Sequence, residues 1–465
     1  MKRLTRLLSA AVVGVYLLVV VGATAALADA ARACGTWPGC SLAGPVDPAL
    51  AVAVGHRVAA AVVGVLVVVA AVAARRSGAS RRVRWALAAA VLLYPVQVLV
   101  GGAVAVLGAP ALVSGGHLLV GTAIFSALVL ALAWHLEAET GSDDRPDGRP
   151  ELAVGDEEPA APVEVPEPPS PAYDSLLARA KGTAWAYFQL TKPRLMWLLC
   201  LVASAGMALA AGPGLSVGTV VATLGGGVLA IGASGTFNHV LERDVDARMD
   251  RTSDRPVATH QVPARNATVF GLTLAALSLV AFLSVNLLAA VLGLVAILFY
   301  SVVYTLLLKP NTVQNTVIGG LAGALPALIG WAAVTGEVGL PGLALAGVVF
   351  LWTPAHFYNL ALAYREDYER GGFPMMPVVR GETETRKHVL LYLGATLLGA
   401  SVLSALTDLG WLYAATTVGL GAVFLVAVVR LHYERDEGAA FRAFHASNAY
   451  LGLLLVAVVV DSLAF

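Results

Sequence analysis

This sequence is short of charge. Asp, Glu, Lys and Arg together make up 13% of the 465 residues, against about 25% in ordinary soluble domains. The 30 Lys and Arg balance the 30 Asp and Glu, so the formal net charge is +0. No global field remains to recruit nucleic acid. No basic stripe interleaved with aromatics is present either, and no nucleic-acid partner is expected. Cysteine is scarce too: three residues are too few for a scaffold built on disulfides. What abounds is apolar, at 58% of the chain. A water-soluble globule of this size cannot hide so much, because part of any fold's surface stays exposed. Fibrous, collagen-like and disordered classes are excluded by the same figures. The composition is that of an all-α polytopic membrane protein, with membrane lipid as its surroundings.

Apolar runs long enough to span lipid, roughly 17–25 residues each, fall near 7–28, 49–73, 85–107, 114–135, 195–212, 218–240, 267–284, 287–307, 313–334, 341–363, 389–406, 411–430 and 447–463. This predicts about 13 transmembrane helices, four before residue 137 and nine after 190. Lys2, Arg3 and Arg6 precede the first run, and Ala26-Leu27-Ala28 resembles a cleavage site. The run exceeds a signal-peptide core of about 7–15 residues, so an uncleaved anchor is expected. Basic residues set the orientation. With a cytoplasmic N-terminus, all Lys and Arg except Arg32 and Arg57 fall on the inner side of a cell membrane.

Residues 137–174 differ from their surroundings. They hold 12 of the 30 acids and eight prolines, a solvated, extended composition. We read three parts: a four-helix membrane module at 1–136, an acidic, Pro-rich cytoplasmic linker at 137–174, and a nine-helix module at 175–465.

In the second module Asn238, Glu242, Asp246 and Asp250 recur every four residues where the sixth run meets the cytoplasm. On a helix that spacing keeps them near one face. Apposed carboxylates repel unless a cation lies between them, and hard oxygen ligands suit Mg²⁺ held together with substrate phosphates. Lys192, Arg194, Arg251, Arg255 and Lys309 sit at cytoplasmic helix ends, and a second acidic pair, Glu366 and Asp367, follows the tenth run. Two carboxylate patches, a ring of cations and an apolar interior describe a site for a diphosphate with a hydrocarbon tail. Solvated salt bridges, worth little, are the plain alternative. His356 lies inside the tenth run, and an intramembrane ionisable residue is a functional candidate. Its alternative is a packing histidine beside Pro354.

The run from Asn238 to Pro256, NHVLERDVDARMDRTSDRP, resembles the first aspartate-rich motif of the UbiA prenyltransferase superfamily. Leu190–Arg194 (LTKPR), Trp352–Phe357 (WTPAHF), Tyr364–Tyr368 (YREDY) and Gly372–Val379 (GFPMMPVV) match in family order. More narrowly, the set resembles the protoheme IX farnesyltransferase (heme O synthase) group. The resemblance implies a nine-helix bundle in which Asn238, Glu242, Asp246 and Asp367 are catalytic. Glu242, Asp246, Asp250 and Asp367 are the implied metal ligands. Lys192, Arg194, Arg251, Arg255, Lys309, His356 and Glu366 would bind substrate. Glu242 and Glu366 stand where an aspartate is usual. The implied reaction is Mg²⁺-dependent transfer of a farnesyl group from farnesyl diphosphate to the 2-vinyl group of heme B, giving heme O. A UbiA-type enzyme acting on a quinone or lipid acceptor, or a heme carrier without transferase activity, are the alternatives.

In the first module Cys34 and Cys40 bracket a short loop on the extracytoplasmic side, where a disulfide can form. Two free thiols are the alternative. Cys200, within the fifth run, is expected to be a small apolar filler. His56 and His117 open the second and fourth runs at similar depth. Neutral imidazoles facing each other in a four-helix bundle could ligate heme iron. Cys34…Trp37-Pro38…Cys40, His56-Arg57, Gln97…Gly101-Gly102 and His117-Leu118 resemble one half of heme A synthase. The glutamate that family tends to place before the His-Arg pair is absent, since 49–55 reads ALAVAVG. The resemblance therefore implies a heme-binding, docking or product-handing role, with a heme A synthase or terminal oxidase assembly as partner.

Overall fold

A computed structural model describes residues 2–23, 33–34, 36–40, 48–107, 110–141 and 175–464. The linker expected at 137–174 lies outside the described residues from 142 onward, as do Arg32 and the Ala26–Ala28 site. Among the described residues there is no strand, and 13 helices are long and apolar enough to cross a membrane. The first four are α1 (Arg3–Ala23), α2 (Pro48–Arg76), α3 (Arg81–Leu107) and α4 (Ala111–Thr140). A shorter helix, α5 (Leu176–Leu190), precedes α6 (Pro193–Ala211), α7 (Val217–Leu241) and the single turn α8 (Arg243–Asp246). There follow α9 (Ala264–Leu283), α10 (Leu287–Leu298) running on into a π-helical stretch (Phe299–Leu308), α11 (Asn315–Thr335) and α12 (Leu340–Ala363). The chain ends with the short α13 (Arg365–Arg370) and α14 (Met376–Val379), then α15 (Glu382–Ala405), α16 (Trp411–Glu434) and α17 (Glu437–Ala464).

Local chemistry fixes many of these ends. Ser175, Ser216 and Asn286 each cap a helix by accepting from the backbone N–H three residues on, which satisfies one otherwise orphaned donor. Gly336 closes α11 with φ 73°, a conformation that suits a residue without Cβ. Two spans start earlier than hydropathy suggests: α15 at Glu382 rather than 389, and α17 at Glu437 rather than 447. The added residues, such as Glu384, Arg386 and Lys387, are good helix formers. They are polar, so they carry the helix past the apolar run that betrays it.

The chain divides into two compact units. One comprises Met1–Asp143, Leu343–Ala363 and Thr383–Phe465. In it α1 packs on α2, α4 and α16. Buried hydroxyls fasten α1 to α16: Tyr16 Oη lies 2.9 Å from Thr417 Oγ1, and Thr5 Oγ1 lies 2.7 Å from Tyr433 Oη.

The other unit comprises Asp144–Gly342 and Tyr364–Glu382. Here α7 packs on α9, and α6 on α11. The second contact is backbone against backbone. A Cβ on Gly330 would lie 2.1 Å from the Ala203 carbonyl oxygen, and one on Gly206 would lie 2.4 Å from that of Ala327. Small residues at such crossings let membrane helices approach closely. Gly330→Val is expected to destabilise the protein by about 1–3 kcal/mol or more, because backbone cannot rotate away from the added atoms. Thermal unfolding in detergent checks this; a melting temperature equal to wild type would show that the crossing has slack.

Candidate active site

The site grows from three chain breaks within the second unit. The first is the α5–α6 junction. Lys192 holds φ 52°, uncommon for a residue with Cβ, and Pro193 opens α6 with the fixed φ that suits a first helical turn. Gly235 of α7 accommodates this junction, since a Cβ there would lie 2.9 Å from the Leu190 carbonyl oxygen and 3.1 Å from Lys192 Cγ. The Lys192 ammonium thereby donates to Asn238 Oδ1, and to Tyr300 Oη at 3.1 Å.

The second break is the end of α7. The helix stops at Leu241, Arg243–Asp246 make one further turn, and turns follow to Val262. Asn238, Glu242 and Asp246 remain buried, between 2% and 5% exposed. The four-residue repeat therefore shares one face only through Asp246. The Asp250 side chain, expected to continue it, is 81% exposed and pairs with Arg370 at 2.6 Å.

The third break is the π-helical stretch. Lys309 N–H donates to the Tyr304 carbonyl, five residues back, at 2.9 Å. Stretches of this kind often occur at functional sites. Here one brings Tyr300, Thr305 and Lys309 to α7. Asn238 Nδ2 donates to Thr305 Oγ1 at 3.1 Å, and Lys309 Nζ donates to Glu242 Oε1 at 2.6 Å.

Every buried acid in this array has a base. Arg255 Nη1 reaches both oxygens of Asp246, at 2.8 and 2.7 Å. Burial would raise the Glu242 pKa, but Lys309 and then Lys192 outweigh it and hold the carboxyl below its usual range. Burial first, and the Arg255 charge second, pull the Lys192 ammonium down to about 7, with Glu242 and Asp246 opposing. Asp367 on α13 works differently. It accepts from the backbone N–H groups of Asp250 (2.8 Å) and Arg251 (3.3 Å), pinning the turn segment after α8, and pairs with Arg370 at 2.9 Å. Arg251 lies over the rings of Tyr364 and Tyr368, 5.3 and 5.4 Å from their centroids. Its Nε is buried without a hydrogen-bond partner among the described residues. Lys309 lies 4.1 Å from the Phe373 ring centroid.

Below Lys192 and Tyr300 runs an apolar cleft between α6, α7 and α11, walled by Leu199, Ala203, Ile231 and Ile329 among others. Its free volume is about 90 Å³. Buried oxygens, four cations and this cleft are the parts of an anion-holding head and a greasy tail pocket.

Residues 198–453 match the pattern of the UbiA prenyltransferase family. The chain belongs to that family. A curated relative, protoheme IX farnesyltransferase 1 of Natronomonas pharaonis, is 69% identical over 460 residues, covering 98% of each chain. Protoheme IX farnesyltransferase 1 of Saccharopolyspora erythraea is 48% identical over 286 residues, covering 61% of this chain and 91% of that relative. A solved structure of digeranylgeranylglyceryl phosphate synthase superposes with a TM-score of 0.52 at 15% identity, over 61% of this chain and all of that one. It shares the fold. This UbiA-family chain is a prenyltransferase.

The family's fold brings most, but not all, of the residues singled out from sequence into contact. Lys192, Asn238, Glu242, Asp246, Arg251, Arg255, Lys309 and Asp367 belong to the ion-pair and hydrogen-bond array just described. Arg194 and Glu366 are exposed. His356 lies in the first unit, stacked between Trp352 and Phe444 at 4.2 and 4.4 Å, with Nδ1 2.7 Å from Ser447 Oγ. Among the described residues no three His, Cys, Asp or Glu side chains form a ready-made metal cluster. Sequence reasoning missed Tyr300, Thr305, Tyr368 and Arg370. Tyr300 and Thr305 read as ordinary span residues, and Tyr368 as the last letter of the YREDY motif with no role of its own; in the π-helical stretch Thr305 meets Asn238 of α7 and Tyr300 meets Lys192.

In the first unit Cys34 and Cys40 are joined in a disulfide, and Arg57 clamps their loop by donating to the carbonyls of Thr36, Pro38 and Gly39 at 3.0–3.1 Å. His56 and His117 line one cavity of about 1240 Å³, with Trp37, Tyr94 and Gln97. Gln97 Nε2 lies 3.3 Å from His117 Nε2. Gly101 gives His117 room, since a Cβ would lie 2.9 Å from its Cε1.

Proposed function

We propose that the chain transfers the farnesyl group of farnesyl diphosphate to the 2-vinyl group of heme B, yielding heme O and diphosphate. The observation that carries this is the buried array of Asn238, Glu242 and Asp246 with Lys192, Arg255 and Lys309 beside an apolar cleft. The curated names of the relatives point the same way. The donor set fits Mg²⁺: three buried side-chain oxygen groups, hard ligands of the kind this ion shares with phosphate. Asn238, Glu242 and Asp246 would hold it. When bound, the ion neutralises the diphosphate and so eases departure of the leaving group.

The protein's own groups do the rest. Lys309 and Arg255 now neutralise Glu242 and Asp246, and a diphosphate offers them a second partner. Arg251 Nε, buried without a partner among the described residues, gives a further donor for a phosphate oxygen or a heme propionate. Asp367 holds the backbone of Asp250 and Arg251 in place and so positions the Arg251 guanidinium. The allylic C–O bond breaks and its electron pair leaves with diphosphate. The vinyl π electrons form the new C–C bond, and the resulting cation beside the pyrrole captures water and sheds a proton. Apolar walls delay earlier capture of the farnesyl cation by water.

Three further readings go with this one. The site lies on the cytoplasmic side, by the distribution of Lys and Arg. Residues 1–136 and 175–465 are modules of the sequence joined by the acidic linker, supported by a Saccharopolyspora relative whose 286 aligned residues have the length of one module, while in the fold α12 and α15–α17 fall in one compact unit with the first module. The first module holds heme, with His56 and His117 as iron ligands, and serves to bind it or hand it on, to a heme A synthase or terminal oxidase assembly. The cavity fits such a group in volume, apolar wall and imidazole donors.

Purified protein given Mg²⁺, heme B and farnesyl diphosphate is expected to yield heme O by mass spectrometry. No heme O above the no-enzyme background, or prenylation of a quinone precursor in preference to heme B, would overturn the assignment.

A further inference from the structure

The wall of the first unit's cavity is mostly aliphatic, yet four buried side-chain atoms of its lining have no hydrogen-bond partner among the described residues. They are His56 Nδ1, Gln97 Oε1, His117 Nδ1 and Ser404 Oγ. Buried polar atoms are nearly always paired, so four around one apolar space call for a ligand that carries polar atoms of its own. Three of the four come from α2, α3 and α4. The fourth comes from α15, inside the stretch that matches the UbiA family. Thr407 and Asp408, just beyond α15, line the same space. Thr407 spends its hydroxyl on the Leu403 carbonyl at 2.7 Å, and Asp408 is exposed. Ser404 is thus the buried polar group that the prenyltransferase part brings to the lining.

Away from this wall, N-terminal helices are fastened to helices of the prenyltransferase part. Tyr433 Oη, on α16, donates to Glu139 Oε2 of α4 at 2.6 Å and meets Thr5 of α1, while Lys2 pairs with Glu139 at 3.1 Å. Tyr16, Thr417 and Tyr450 form a second buried hydroxyl chain from α1 through α16 to α17.

We propose that this cavity is one composite tetrapyrrole site, built jointly by the N-terminal helices and the end of α15, with Ser404 as a binding contact. The proposal rests on the heme reading of the first module and extends it to the prenyltransferase part. The aliphatic walls take the macrocycle, the imidazoles take the metal, and the Ser404 hydroxyl bonds a peripheral oxygen of the ring substituents.

The test is titration of the full-length protein in detergent with hemin, followed by the Soret band. Wild type is expected to bind saturably, and His56→Ala to alter the band. Ser404→Leu is expected to weaken binding at least tenfold with the band position kept, because the iron ligands are untouched. Ser404→Ala, which adds no bulk, is expected to weaken it several-fold. Size exclusion and thermal melting verify folding; if Ser404→Leu fails to fold, Ser404→Ala alone decides. Saturable wild-type binding with wild-type affinity in the Ser404 variants overturns the composite site and leaves the heme reading standing. No saturable band in wild type overturns both.

Discussion

Replacing Asp246 by Asn is expected to cut turnover by a factor on the order of 10²–10³ or more, the range seen when one preorganised group at a developing charge is lost. The amide fills the same space but surrenders the negative charge that Arg255 meets at 2.7 Å and that a bound cation would need. Asp250→Asn is the matched comparison. Its carboxylate faces outward, 81% exposed, so activity is expected to stay within a few-fold of wild type. Steady-state assays of heme O formation measure both. A silent Asp246→Asn, or an Asp250→Asn as damaged as Asp246→Asn, would relocate the catalytic carboxylate.

Lys309→Met is expected to lower stability by about 3–5 kcal/mol, the cost of leaving one member of a buried ion pair alone. The side chains of Lys309 and Glu242 are only 11% and 6% exposed and meet at 2.6 Å. The neutral pair Lys309→Met with Glu242→Gln is expected to recover most of that loss while remaining inactive. Separating stability from turnover in this way identifies the pair as part of the chemistry. A double variant as unstable as the single one would show that Lys309 contributes through its packing on Phe373 instead. Because the Glu242 carboxyl lies below its usual range, the stabilisation from this pair is present at neutral pH. It is lost as acid protonates Glu242 through its folded-state pKa.

The membrane spans were legible because the apolar run and the helix coincide wherever lipid sets both. They parted at α15 and α17, where polar residues prolong a helix beyond its greasy core. The first three members of the acidic repeat were legible for a similar reason: Asn238, Glu242 and Asp246 keep one face as long as helical turns last. Asp250 escaped because periodicity cannot announce where a helix stops. Tyr300 was out of reach for another reason, and Lys309, nine positions on, was legible as a cation at a helix end but not as a group sharing a site with it. An ordinary helical wheel assigns them by a period that this segment does not follow. His356 drew notice as an ionisable group among apolar neighbours, but stacking on two aromatic rings and the Ser447 hydroxyl accounts for all that the structure shows of it.

The wide helical turns at Phe299–Leu308 have a consequence for chain length. A residue deleted from an ordinary helix swings everything beyond it by roughly 100° about the axis. Here Tyr300 and Lys309 serve one site from the two ends of a ten-residue stretch. Shortening it by one would leave every side chain's chemistry intact and point the lysine elsewhere. This part of the enzyme is therefore more tolerant of a changed letter than of a missing one.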